Sequence, residues 1–318
     1  MRAVRLSRTG QPLEDVEIDT PAPGRGEVAV AIRATGICHS DVHYCTEEGR
    51  ARLPLIPGHE IAGVISDIGP DVRDFAPGDR VAIHYLVGEE MIGKELDGGY
   101  AESIVVPASN VVAVPSQVPF AHAAVMMCST ATAWHALKIA NLRAGESVAI
   151  IGFGGLGASA VQLARILGAG RVIAVDVVDA KLRMAEEWGA IAVNAGTGDL
   201  TASLRGVDVV LDFATHGPTT VSALRALNPR GRLVFVGINL RSLELDPYSD
   251  LLVHERIVTG SADHTRDELV ELLNLASEGR LDLDRAITLR VPLAAEAINQ
   301  VHRDLHHGTR HLRTVIEM

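Results

Sequence analysis

The segment SVAIIGFGGLGASAVQLARILGA, residues 147–169, holds the pattern that decides the fold. It opens on the apolar run Val148 to Ile151, of the kind that fills a parallel strand covered on both faces. Gly152, Gly154 and Gly157 then spell G-x-G-x-x-G, with Gly155 and Leu156 inside the same turn. Leu156, Ala160, Leu163, Ala164 and Leu167 follow at i, i+4, i+7, i+8 and i+11, one apolar stripe of a helix whose other face carries Gln162 and Arg165. Strand, glycine turn and helix in that order predict a dinucleotide site. The first glycine permits the tight turn, the second lets the backbone approach a pyrophosphate, the third allows close packing, and the free N–H groups at the helix start favour an anion. Asp176 ends the next apolar run 19 residues after Gly157, where a carboxylate can accept from ribose hydroxyls. A 2'-phosphate about 4 Å from that carboxylate meets repulsion of roughly 1 to 4 kcal/mol, which Lys181 offsets only in part. NAD is therefore expected over NADP.

Outward from this segment the same alternation continues. Downstream come the strand RVIAVDV, the helix DAKLRMAEEWGA and short strands at IAVNA, VDVVLDFA and GRLVFVGI, a pattern that predicts a doubly wound α/β sheet. Two amphipathic helices, TRDELVELLNLASEG and AAEAINQVHRDLHHG, and a closing strand LRTVIEM complete the chain. Upstream, FAHAAVMMCSTATAWHALKIA (residues 120–140) reads as one alanine-rich helix. Before it the texture changes to short β-runs between glycine turns, which predicts a mainly β first domain.

Composition narrows the class of function. The 318 residues carry a net charge of −11, 47% are hydrophobic and only 3% aromatic, which argues against disorder, nucleic-acid binding and base-stacking platforms. Three cysteines cannot build a disulfide framework, the opening MRAVRLSRTG lacks an apolar secretory core, and the longest apolar runs are strand-sized. A cytoplasmic protein with no membrane span and a small-molecule ligand is the expectation.

The first domain concentrates metal-ligating residues. GICHSDVH places Cys38, His39, Ser40, Asp41 and His43 within six residues, and PGHE adds His59 and Glu60. Thiolate and imidazole suit zinc, and a catalytic zinc takes three protein ligands and keeps a fourth position open. Taken singly, a buried cysteine is more often a small hydrophobe, and His122, His216, His254, His302, His306, His307 and His311 read as structural or surface residues.

GICHSDVH, PGHEIAGVISDIG, PGDRV, DGGYAE, the M-C-x-x-x-T run at 127–132, GFGGLG, VFVG and GSADHTRDEL occur in this order along nearly the whole chain. In this series the sequence resembles the zinc-dependent alcohol dehydrogenases of the medium-chain dehydrogenase/reductase superfamily. The resemblance implies a catalytic GroES-like domain over 1–130, an NAD-binding Rossmann domain over 131–262 and a C-terminal return to the catalytic domain over 263–318. It implies the Cys2His zinc set known for these enzymes on Cys38, His59 and Cys128, with Glu60 as an alternate ligand and Asp41 as the carboxylate behind His59. His39 and Arg313 match positions that meet the pyrophosphate, Thr132 one beside the nicotinamide, and Val236 with Ile238 the backbone that holds the carboxamide. Tyr85, beside His84, falls where relatives line the substrate pocket; Trp134 is read as packing or as a pocket wall. Ser40 is expected to accept the alcohol proton and pass it through the ribose hydroxyls to His43 and solvent.

Between Arg80 and Asp97 no cysteine occurs, where many relatives carry a four-cysteine lobe. One catalytic zinc and no structural zinc are therefore expected, with NAD as cofactor, an alcohol, aldehyde or ketone as substrate, and a homo-dimer or homo-tetramer as assembly. Two alternatives stand beside this: a zinc-free quinone or enoyl reductase of the same superfamily, against which the three ligands argue, and a non-catalytic nucleotide-binding protein, against which Ser40, His43 and GFGGLG argue.

Overall fold

The computed structural model describes residues 1–238, 242–308 and 311–318. The chain divides into two compact units, one of Met1–Ser129 with Thr265–Met318 and one of Thr130–His264. No described helix is long and apolar enough to cross a membrane.

In the second unit, six parallel strands lie in the spatial order Ile191–Asn194, Arg171–Asp176, Ser147–Ile151, Val207–Asp212, Leu227–Phe235 and Ile257–Gly260. This is the doubly wound arrangement read from the sequence. The strand order reverses between Ser147–Ile151 and Val207–Asp212, the crevice where such sheets bind ligands. Every residue of Ser147–Ile151 is buried, which explains its continuous apolar run. Ala149, Ile151, Ile173, Val175, Val210 and Leu233 form the core with Leu224 of the helix Gly217–Ala226.

The glycine turn joins the central strand to the helix Gly155–Ile166. Gly152 has φ +93°, a left-handed conformation that side chains resist. A Cβ on Gly157 would fall 2.1 Å from the Gly152 carbonyl oxygen, so helix and turn approach this closely only without one.

The first unit is built around the eleven-residue strand Glu27–Ile37. Antiparallel to it run Glu60–Ile68, Ser103–Pro107 and the chain's last strand, Arg313–Glu317. Arg80–Ile83 and Val111–Ala113 extend the sheet on one side, and Ile287–Pro292 pairs parallel to Arg313–Glu317 on the other. Val28, Val30, Ile32, Ile61, Ile65, Val81 and Ile83 fill its interior, and Cys38 and Cys128 belong to the same cluster.

The segment expected as one helix over 120–140 differs. Helices Phe120–Val125 and Ala131–Ile139 are separated by a π turn over Met126–Thr130. The widened turn contains Cys128 and coincides with the Ser129/Thr130 division between the units.

Replacing Gly157 by Ala should lower the thermal midpoint by several degrees, since overpacking against a backbone carbonyl costs about 1 to 3 kcal/mol. Differential scanning calorimetry measures this, and an unshifted midpoint contradicts the close-packing role.

Candidate metal centre and dinucleotide site

Chain direction brings the polar cluster of the first unit together. Strand Glu27–Ile37 delivers Cys38 to the start of the short helix His39–Tyr44, and the Cys38 N–H donates to Asp41 Oδ2 at 2.8 Å. The antiparallel partner begins at Glu60, paired with Gly36, which places His59 beside Cys38. Gly36 is glycine for a visible reason, because a Cβ there would overlap the Glu60 carboxylate. The π turn supplies Cys128 from the far end of the unit's sequence; its Ser129 hydroxyl donates to the Val125 carbonyl at 3.1 Å and its Ser129 N–H to Glu60 Oε1 at 3.3 Å.

Cys38, His59, Glu60 and Cys128 are all buried, and one ligand atom from each lies within 4.8 Å of all the others. Ligands around a tetrahedral zinc at 2.0–2.3 Å are about 3.3 to 3.8 Å apart, so a small contraction accommodates the ion. His59 Nδ1 lies 2.8 Å from Asp41 Oδ1. With Nδ1–H donated to the carboxylate, Nε2 keeps its lone pair for a metal.

Burial and the neighbouring charges set where the protons of this cluster lie. A hydrogen bond from Cys128, opposed by burial and aided by His59, holds the Cys38 thiol well below its usual range. The same bond, together with burial, holds Cys128 well above it. Their mutual hydrogen bond thus favours the thiolate on Cys38 and the thiol on Cys128, whereas thiolate ligation of a metal requires both to be deprotonated. Burial resists a charge on His59, but Asp41 and Cys38 outweigh it and raise its pKa. Glu60 is pushed up to about 7 by burial, against the pull of Arg313.

Arg313, expected at the pyrophosphate, is buried in this unit and donates to Glu60 Oε2. Burial disfavours its charge, yet Glu60 and the two sulfurs hold the guanidinium protonated. Ser40 Oγ donates to Cys38 Sγ at 3.1 Å. Tyr85 is 2% exposed, with its ring edge-on to His59 at 5.1 Å between centroids. His43 follows on the same short helix with its ring 6.1 Å from Tyr44, and His39 is exposed at the helix start. Residues that the sequence reading missed are Tyr44, whose ring lies 6.3 Å from that of His59, and Tyr100, whose hydroxyl donates to Asp41. A tyrosine so far along the chain carries no local signal; only the position of DGGYAE among the motifs hinted at it.

The second unit carries the nucleotide elements. A Cβ on Gly154 would meet nothing within 4 Å, so packing within the chain does not demand this glycine. Asp176 accepts from the N–H groups of Phe153, Val177 and Val178 at 2.8, 2.8 and 3.0 Å. Three of about four lone-pair directions are thereby used, and the carboxylate ties the glycine turn to the next strand while retaining capacity for a hydroxyl. Lys181 lies in the first turn of the helix Asp179–Glu187. The N–H groups of Val236 and Gly237 donate to the Asp212 carbonyl, and Ile238, 57% exposed, accepts from Thr215 Oγ1 at 3.4 Å. Thr132 and Trp134 belong to the helix Ala131–Ile139, with Trp134 7% exposed and Lys138 Nζ 5.3 Å from its ring centroid.

Comparison with known proteins bears on these two clusters. Residues 24–116 match the alcohol dehydrogenase GroES-like domain family and residues 155–278 the zinc-binding dehydrogenase family. The chain is 34% identical to an alcohol dehydrogenase of Geobacillus stearothermophilus, with all of both chains covered. It is 31% identical to an NAD-dependent alcohol dehydrogenase of Saccharolobus solfataricus, over 95% of this chain and 96% of that one. The crystal structure of the alcohol dehydrogenase from Aeropyrum pernix superposes with a TM-score of 0.90 at 30% identity, covering 100% of each chain.

Because Glu60 is pushed up to about 7 in the folded state, its folded form binds a proton that the unfolded form releases near 4.5. Its contribution to the metal-free protein is therefore full below about pH 4.5 and is lost as pH rises through 7, a change on the order of 3 kcal/mol. Urea midpoints of metal-free wild type and Glu60→Gln should diverge over that window, with the wild type losing ground. Parallel pH profiles would contradict the buried, proton-holding carboxylate.

Proposed function

Since the chain belongs to the zinc-binding alcohol dehydrogenases of the medium-chain dehydrogenase/reductase superfamily and is an NAD-dependent oxidoreductase interconverting alcohols and aldehydes, we propose that Cys38, His59 and Cys128 hold a single catalytic zinc. The observation that carries this is the convergence of two sulfurs and an imidazole within 4.8 Å in a fully buried setting, with the imidazole's other nitrogen already given to Asp41. When bound, the ion supplies Lewis acidity, which brings the ionisation of a coordinated hydroxyl toward neutral pH. A bound NAD supplies the hydride acceptor.

The chain's own groups do the rest. Asp41 orients His59 and supports its donation. Glu60 is held back by Arg313 and Ser129, which makes it a reserve ligand whose approach requires the guanidinium to let go. Ser40, already hydrogen-bonded to Cys38 Sγ, has an oxygen with spare acceptor capacity and receives the substrate hydroxyl proton. Ser40 gives up its own hydroxyl proton as it accepts this one, and His43, further along the helix and partly exposed, is the group that returns a proton to solvent. Tyr85, packed on His59, walls the substrate side. In the other unit Gly152, Gly154, Gly155, Leu156 and Gly157 cradle the pyrophosphate at the helix start, while Asp176 binds the adenosine ribose and repels a 2'-phosphate.

Metal analysis of gently purified protein should find close to one zinc per chain, and alcohol with NAD should generate NADH absorbance that a chelator abolishes. Ser40→Ala should lower kcat by about 10² to 10⁴ with zinc content unchanged, the usual scale for losing a proton-transfer group. Full turnover in that variant removes Ser40 from the relay, and zinc-free protein reducing quinones or enoyl compounds instead overturns the dehydrogenase reading.

Asp176→Ser should raise kcat/KM for NADP relative to NAD by about fivefold or more, the fold-change corresponding to the 1 to 4 kcal/mol of repulsion removed. An unchanged cofactor ratio in initial-rate measurements would mean that Asp176 serves only to tie the turn.

A further inference from the structure

Asp41 is fully buried and accepts three hydrogen bonds, from His59 Nδ1, from the Cys38 N–H and from Tyr100. The first two come from residues of the metal centre. The third comes from the DGGYAE segment, where the Tyr100 hydroxyl lies 3.0 Å from Asp41 Oδ2.

Tyr100 is itself fully buried and closely fixed. Its N–H donates to the Pro57 carbonyl at 3.0 Å, and its carbonyl accepts from Val4 N–H at 2.7 Å. A Cβ on Gly58 would fall 2.4 Å from its ring, so the turn that leads into His59 is shaped around this phenol. Filling that volume requires only a phenyl ring; burying a hydroxyl as well is costly unless the oxygen is used. Burial, then the Asp41 charge, keeps the phenol protonated and hence a donor.

Behind it stands His302, on the helix Ala295–His307, with Nε2 3.5 Å from the phenol oxygen and ring centroids 6.2 Å apart. The phenol proton is committed to Asp41, so the imidazole faces an oxygen that can only accept. Burial holds His302 below its usual pKa.

We propose that Tyr100, backed by His302, is a positioning residue for the metal centre: its hydroxyl locks the Asp41 carboxylate so that Oδ1 holds His59 Nδ1–H and His59 Nε2 is presented to the ion. The inference rests on the zinc reading above and adds a layer to it. Without the hydroxyl, Asp41 Oδ2 keeps only the Cys38 N–H, and the carboxylate can turn about the bond that should hold the imidazole still.

The test is Tyr100→Phe in the full chain, with zinc affinity read by competition against a chromophoric chelator and geometry read from the absorption bands of the cobalt-substituted protein. Partners directly behind a metal-binding histidine are worth about 10- to 100-fold in affinity, so Asp41→Asn sets that scale and Tyr100→Phe should lose about 3- to 10-fold. Because Tyr100 acts through Asp41, the double variant should bind zinc no more weakly than Asp41→Asn alone, and the cobalt bands should shift in Tyr100→Phe. A phenol that only packs would leave affinity and bands at wild-type values, or would give losses that add in the double variant, and either result overturns the proposal. Wild-type protein that binds no zinc overturns both this inference and the metal reading; wild type binding tightly beside an unchanged Tyr100→Phe overturns this inference alone.

Discussion

A carboxylate with no exposed surface, Asp41, is the constraint around which the first unit is organised. An ion in a hydrophobic core is tolerated only when its oxygens are filled, and here they are filled by a backbone N–H, an imidazole and a phenol. Each donor belongs to a different part of the chain: the strand-to-helix junction at Cys38, the turn before Glu60–Ile68 and the segment after Asp97. Satisfying one buried charge therefore fixes the relative placement of three connections, and the ligand atoms of Cys38 and His59 follow from it. The cluster would be an expensive arrangement for stability alone, since even a compensated buried charge seldom stabilises a core more than apolar packing does; it is intelligible as preorganisation for an ion.

Cys128 reaches that cluster by a different device. A regular helix over 120–140 would rotate each residue by the same step, whereas a π turn inserts one extra residue and changes the direction in which Cys128 points. The widened turn is held by Ser129, whose hydroxyl satisfies the Val125 carbonyl and whose N–H is spent on Glu60. The widened turn and the position of the Glu60 carboxylate are thus parts of one hydrogen-bonded arrangement. Arg313 completes it from the last strand of the chain, which explains why the C-terminal segment returns to pair with residues 34–37 of the central strand.

How much of this could be seen in the sequence depends on how local the cause is. The doubly wound sheet was legible because strand, glycine turn and helix lie within 23 consecutive residues and each has its own periodicity. The gathering of Cys38 and His59 was legible as density, and Cys128 only through the resemblance, since nothing in an alanine-rich helical stretch marks a sulfur as belonging 90 residues upstream. The π turn was not legible: one inserted residue barely alters an apolar pattern, and the groups that hold it include Glu60, fixed by tertiary contact. Tyr100 and His302 were invisible for the same reason, one separated from Asp41 by 59 residues and the other from Tyr100 by 202. Arg313 was legible only through the resemblance, and its pairing with Glu60 was not, because the β pairing of the last strand with residues 34–37 is what brings it onto that carboxylate.

The stretch between Arg80 and Asp97, which contains no cysteine, raises a mechanical question, because it lies beside the cluster of Cys38 and His59. Hydrophobic burial and backbone hydrogen bonds answer it. Leu86–Val87 and Glu90–Met91 form a small hairpin, after which Ile92 returns its N–H to the Tyr85 carbonyl at 3.0 Å and buries its side chain in the same core as Tyr85. Asp97 accepts from Ile56 N–H at 2.9 Å, and Lys94 O accepts from Arg52 N–H at 2.9 Å, anchoring the far end to the approach to His59. Tyr85 is consequently clamped from both sides, by the strand Arg80–Ile83 that precedes it and by the hairpin that follows, while its ring rests edge-on against His59. The ring beside the imidazole is thus held by backbone hydrogen bonds and apolar packing that the connection itself provides.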